Sequence, residues 1–168
     1  MIERARALYE RDFTLWLDTQ VETLRAGRWS DLDLANVIEE LEALSRSERN
    51  AVKSQLQRLF LHLLKARFQP HKRTPSWDRS IDGAVSAIFE SLADSPSLRP
   101  EMPAMAPAAY GLARRAAAKE TRLARTDLPA DLPSAYALLA LALSKATKLA
   151  DLDGIDALVV AAIDGPLS

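Results

Sequence analysis

Apolar residues recur along this chain at steps of three and four, with almost no strict alternation, and that periodicity predicts helices from end to end. Tyr9, Phe13, Trp16, Leu17, Val21 and Leu24 share one face of a helix over about 3–26, with Gly27 as a left-handed stop. Ser30 and Asp33 have capping-box spacing ahead of Leu34, Val37, Ile38, Leu41 and Leu44, a second helix ending near Ser45. Ser45-Arg46-Ser47-Glu48 repeats the box, so the reading favours a short break and a third helix reaching Gln69, over one long helix. Val52, Leu56, Leu59, Phe60 and Leu63 line one face of that third helix, and Leu61, Leu64 and Phe68 extend the apolar surface round it, which marks a central element.

Thr74-Pro75 opens a fourth helix carrying Trp77, Ile81, Val85, Ile88 and Leu92. Ser95-Pro96-Ser97-Leu98-Arg99-Pro100 is a connection, and Pro103 and Pro107 are expected to delay or kink the next helix, which runs to about Leu123. After a loop from Asp127 to Pro133, further helices are predicted over Ser134–Leu149 and Gly154–Ile163. The expected fold is all-α, a single compact bundle of about five to seven helices spanning 1–168, with 134–168 as a C-terminal extension.

Composition sharpens that picture. Ala (29) and Leu (27) make up a third of the 168 residues, whereas Val and Ile number six each, which favours helix over strand. The absence of cysteine excludes a disulfide scaffold, a thiolate zinc site and cysteine catalysis. A charged N-terminus without an apolar signal core, and no apolar run longer than the nine residues from Ala135 to Leu143, lead to the expectation of a cytoplasmic protein with no membrane association.

The formal charge of -1 hides an uneven distribution. Residues 1–48 sum to -5, residues 49–77 to +7 with no acidic side chain, and the remainder to -3. The basic stretch holds both histidines with Phe60, Phe68 and Trp77, a composition that could bind nucleic acid through Arg67, Lys72 and Arg73. The preferred reading docks this basic helix against its acidic predecessor, through Glu39, Glu40, Glu42 and Glu48, and ranks nucleic acid below a protein partner. A second basic cluster, Arg114, Arg115, Lys119, Arg122 and Arg125, reads as a solvated face.

The chemistry on offer is sparse. Glu39, Glu40, Glu42 and Glu48 with His62 and His71 supply metal-ligand types, but no His follows a Glu by three residues as di-iron bundles require, so neither metal nor cofactor is expected. His62 and Lys65 fall in the helix expected to be central, where unpaired polar groups are costly. Glu40, Asn36 or the Trp77 indole are the expected partners in a structural network, with a general-base role for His62 beside Glu40 as the catalytic alternative. No phosphate loop or nucleophile elbow is present.

Several blocks together resemble a bacterial family of helical proteins, the domain-of-unknown-function family 29, frequent in cyanobacteria and proteobacteria. They are Tyr9-Glu10-x-Asp12-Phe13-x-x-Trp16, Leu24-Arg25-x-Gly27-Arg28, Leu32-Asp33, Asn36-x-x-Glu39-Glu40-x-Glu42 and Arg46-x-Glu48. His62-Leu63-Leu64-Lys65, Gln69-Pro70, Ser76-Trp77, Ser95-Pro96-Ser97-Leu98, Tyr110-x-x-Ala113-Arg114 and Glu120-Thr121 complete the set, which covers about 9–123. The resemblance implies an all-helical fold and brings no activity, cofactor or catalytic residue. It singles out Glu39, Glu40, His62, Lys65 and Trp77 as a candidate polar cluster. The leading functional expectation is a protein-interaction or regulatory module with a protein partner, with assembly of identical chains also allowed. The alternatives are a metal-dependent or acid/base enzyme using Glu40 and His62 and, third, nucleic-acid binding through 49–77.

Overall fold

The computed structural model describes residues 2–165, with side chains from residue 7 onward. Seven α-helices order these residues: α1 (Ile2–Arg11), α2 (Phe13–Arg25), α3 (Leu34–Phe68), α4 (Pro75–Asp94), α5 (Met102–Thr121), α6 (Ser134–Lys145) and α7 (Leu152–Asp164). Short 3-10 turns join them, and no strand occurs among the described residues. The chain divides into two compact units, 1–47 and 48–168, with α3 running through the boundary.

Two boundaries differ from the sequence reading. The first predicted helix is two, because Asp12 leaves helical geometry (φ -153°) and its carboxylate accepts from the Leu15 amide at 3.0 Å, an N-cap that starts α2 afresh. The predicted break near Ser45 is absent, since α3 continues for 35 residues. The capping-box spacing at Ser45 and Glu48 therefore lies inside a helix, where nothing calls for a cap. The acidic and the basic stretch, read from the sequence as two helices, both belong to α3.

Gly27 ends α2 as predicted: at φ +64° it allows Gly27 N–H to bond the Leu24 carbonyl (3.0 Å) and Arg28 N–H to bond that of Thr23 (3.1 Å), the two bonds of a Schellman motif. In the first unit Trp16 is fully buried and its indole N–H donates to Asp33 Oδ2 at 3.3 Å. Asp33 Oδ2 also accepts from Asn36 Nδ2 (2.7 Å), and Gln20 Oε1 accepts from the Asp33 amide (2.9 Å). The expected capping pair is thus replaced: Ser30 turns to Asp31, and Asp33 itself anchors the start of α3.

The second unit holds a continuous apolar core. Val52, Leu56, Leu59, Phe60, Leu63 and Leu64 of α3 meet Ile81, Val85, Ile88 and Leu92 of α4, Tyr110 of α5, and Tyr136, Leu139 and Leu143 of α6. Phe60 stacks on Tyr136 with ring centres 5.5 Å apart, and Tyr110 meets both edge-on at 6.2 and 6.0 Å. Pro103 causes no delay, because it sits in the first turn of α5, where its missing N–H has no helical partner to lose; Pro107 lies inside that helix. Both C-terminal helices form, α6 four residues shorter than predicted and α7 three residues longer, and α6 packs against α5 and α7.

Candidate functional site

The five side chains of the sequence-derived polar cluster fall into separate groups. Near the start of α3, the Tyr9 hydroxyl donates to the Glu40 carboxylate. That bond, with partial desolvation and the nearby charges of Glu40, Glu39 and Asp33, pushes the Tyr9 phenol up to about 12. Tyr9 also packs edge-on against Trp16 (4.8 Å between centres) and Phe13 (5.8 Å), so the motif blocks around residues 9–16 and 33–40 close on one another. Glu39 is exposed.

The other group joins the end of α3 to α4 and α5. Lys65 is buried, its ammonium 2.7 Å from Glu120 Oε2 and 4.6 Å from the centre of the Trp77 ring. One turn on, Gln69 Nε2 donates to the Thr121 carbonyl at 3.0 Å, satisfying an end of α5 that turns at Arg122 in a left-handed conformation (φ 61°). His62 is half-buried one turn before Lys65, with Nδ1 enclosed and unpartnered. Burial, then the Lys65 charge, hold its imidazole below the ordinary value, against a smaller opposing pull from Glu120.

The sequence reading brings Lys65 and Trp77 together, though through the ring face rather than the indole N–H, and it names Glu40 where the ion partner is Glu120. Glu120 belongs to the Glu120-Thr121 block, so the signal was present without a reason to pair it with Lys65. Glu40 and His62 stand 22 residues apart (40 to 62) on uninterrupted α3. Glu40 accepts from Tyr9 within the first unit, whereas His62 belongs to the second. Among the described residues no group of three or more His, Cys, Asp or Glu side chains could hold a metal ion.

Much of the basic segment is spent inside the second unit. Arg49 makes two bonds to Glu101 (2.7 and 2.9 Å), and Arg73 pairs with Asp78 at 2.8 Å. Arg67 donates to the Ala162 and Ile163 carbonyls at the end of α7, while Arg99 closes the end of α6 on Ser144 and Ala146. Phe60 is fully buried and Phe68 and Trp77 pack against the core, so these aromatics offer no open stacking platform. Arg114 also departs from the solvated face assigned to it, donating to the Arg125 and Leu128 carbonyls and pinning the loop after α5.

What the first unit leaves uncovered is the feature the sequence missed. Ten large apolar side chains between Phe13 and Leu44 are exposed. On α2, Trp16, Gln20 and Thr23 are buried, while Phe13, Leu17, Val21 and Leu24, predicted to share the core face, are 39–44% exposed. On α3, Leu34, Ile38, Leu41 and Leu44 recur at steps of four, three and three and are 47–63% exposed. Trp29, between the helices, is 70% exposed. Scattered apolar residues are normal on a surface, but rows at helical spacing make contiguous apolar strips, which mark binding faces.

No helix among the described residues is long and apolar enough to cross a membrane. The family model described as domain of unknown function DUF29 matches residues 8–141, 134 of the 168 residues, and so runs 18 residues past the motif blocks and takes in most of α6. No curated protein and no solved structure matches the chain.

Proposed function

The chain belongs to this DUF29 family, which carries no activity with it, and from the geometry we propose that it is a protein-interaction or regulatory module whose N-terminal unit is the recognition surface. The observation that carries this reading is the pair of exposed apolar rows on α2 and on the first half of α3. Covering such rows removes apolar area from water, the main favourable term in most protein association.

The test uses the full chain as bait in an extract of its own source cells, beside two variants, Leu17→Ser/Val21→Ser and Ile38→Ser/Leu41→Ser. These positions are exposed, so both variants should keep wild-type helicity by circular dichroism. The expected result is a stoichiometric protein retained by the wild type and lost from at least one variant. Identical retained proteins on all three baits would overturn the reading.

A further inference from the structure

We propose that the row Leu34, Ile38, Leu41 and Leu44 on α3 receives an amphipathic helix of another protein, one whose apolar stripe is bordered by lysine or arginine. The inference rests on the interaction reading above and deepens it by naming the chemistry of the partner.

The row itself selects the shape. Its four side chains span eleven residues of an unbroken helix, about 15 Å from first to last, and lie within roughly 120° of arc at 100° per residue. An apolar stripe of this width on one helix is complementary to the apolar face of a second, amphipathic helix. The borders select the charge. On the same wheel Glu42, with Glu39 behind it, lies on one side of the row, and Glu40 on the other, next to Leu44. The one basic residue over 34–47 is Arg46, and Glu42 already faces it at 3.6 Å. Residues 1–47 as a whole hold ten acidic and six basic side chains.

That charge also discriminates among occupants. A second copy would set glutamates against glutamates along both borders, and an anionic lipid surface or a nucleic acid would meet the same repulsion. A helix with basic flanks instead places its lysines or arginines over Glu39, Glu40 and Glu42 while its apolar stripe covers the leucines.

The probe is a pair of labelled amphipathic peptides of about 18 residues with the same leucine stripe, flanked by lysine in one and glutamate in the other. A third peptide scrambles the Leu/Lys composition so that its leucines share no face. Binding to the full chain is read by fluorescence anisotropy. The Leu/Lys peptide should bind at least about tenfold more tightly than either control, and lose about tenfold with Ile38→Ser/Leu41→Ser. Glu39→Gln/Glu42→Gln should keep apolar binding while the preference for lysine over glutamate shrinks to about threefold or less.

Equal affinity for the two charge types, equal affinity for the scrambled peptide, no binding, or binding unchanged in the serine variant would each overturn the proposal. So would a dimer, seen by sedimentation, that the serine variant dissociates, because the occupant would then be a second copy. If the extract experiment still shows a partner lost with Ile38→Ser/Leu41→Ser while the peptides show no preference, the interaction reading stands and the basic-helix inference falls.

Discussion

The two units solve the same problem in opposite ways. From Val52 onward, the large apolar side chains of α3 turn inward to a core shared with α4, α5 and α6, and Lys65 and Gln69 among them are matched by Glu120 and the Thr121 carbonyl. Before Ser47 the same helix shows its leucines to solvent, and in that unit Trp16 and Leu32 are the buried apolar side chains among the described residues. Helical periodicity is equally strong in both halves. Periodicity therefore reports which face of a helix is apolar, whereas burial depends on whether a partner is supplied within the chain.

Truncation at matched positions tests that contrast most strongly. Phe60→Ala removes a fully buried ring stacked on Tyr136 and should cost about 3–5 kcal/mol in urea unfolding. Leu41→Ala, on the same helix but 62% exposed, should change stability by no more than about 0.5 kcal/mol. Comparable losses in the two variants would mean that the Leu41 row is covered in the folded chain, and would remove the basis for a recognition surface.

The fold was legible where local chemistry decides it and illegible where distant atoms do. Gly27, Thr74-Pro75 and the spacing through α4, α6 and α7 placed those elements, because a left-handed stop or a proline at the first helical position acts within a few residues. Ser45-x-x-Glu48 misled because the same four residues suit a helix start and a helix interior, and only the surrounding chain chooses. The basic segment misled for a longer-range reason. Arg67 acts on carbonyls near residue 162, and Lys65 meets a carboxylate 55 positions away, pairings for which sequence gives residue types but no distances. Glu40 was read as a partner for His62 or Lys65, whereas the group it accepts from, Tyr9, belonged to a block read for its aromatic spacing.

Glycine substitutions sharpen the comparison at the level of the backbone. Gly27 is at φ +64°, where a Cβ is strained whatever the space around it, so Gly27→Ala should destabilise the first unit by about 1–2 kcal/mol. Gly111 lies within α5 with nothing near its would-be Cβ, and Gly111→Ala should instead stabilise the second unit by about 0.5–1 kcal/mol. Thermal unfolding of both variants reads the sign directly, and a stabilising Gly27→Ala would deny the Schellman stop its role.

The Lys65–Glu120 pair separates structural from functional polarity in the second unit. The Lys65 side chain is 11% exposed and that of Glu120 is 46%, so water screens the pair from one side. Glu120→Gln leaves a buried ammonium with a weaker partner and should cost about 1 kcal/mol. Lys65→Met removes the charge that needed a partner, and should leave urea stability within about 0.5 kcal/mol of the wild type. A large loss with Lys65→Met would show instead that the cation on Trp77 contributes more than its desolvation costs.

The smallest effect expected is the dependence on pH. Burial and the neighbouring charges of Lys65 and Arg58 keep the folded His62 imidazole below 6.5, against the opposing pull of Glu120. In the unfolded chain it returns to about that ordinary value. Between the two values the unfolded chain binds more protons, so this group favours the fold fully above about pH 7, and its contribution is lost as pH falls through 6.5 toward the folded value. His62→Gln keeps hydrogen-bonding capacity and removes the titration. On passing from pH 7.5 to pH 5 the wild type should therefore lose more unfolding free energy than His62→Gln, while carboxylates elsewhere cancel in the difference. A gap between the two proteins that stays constant over that range, or moves the other way, would show that the enclosed Nδ1 finds a proton partner in the folded state.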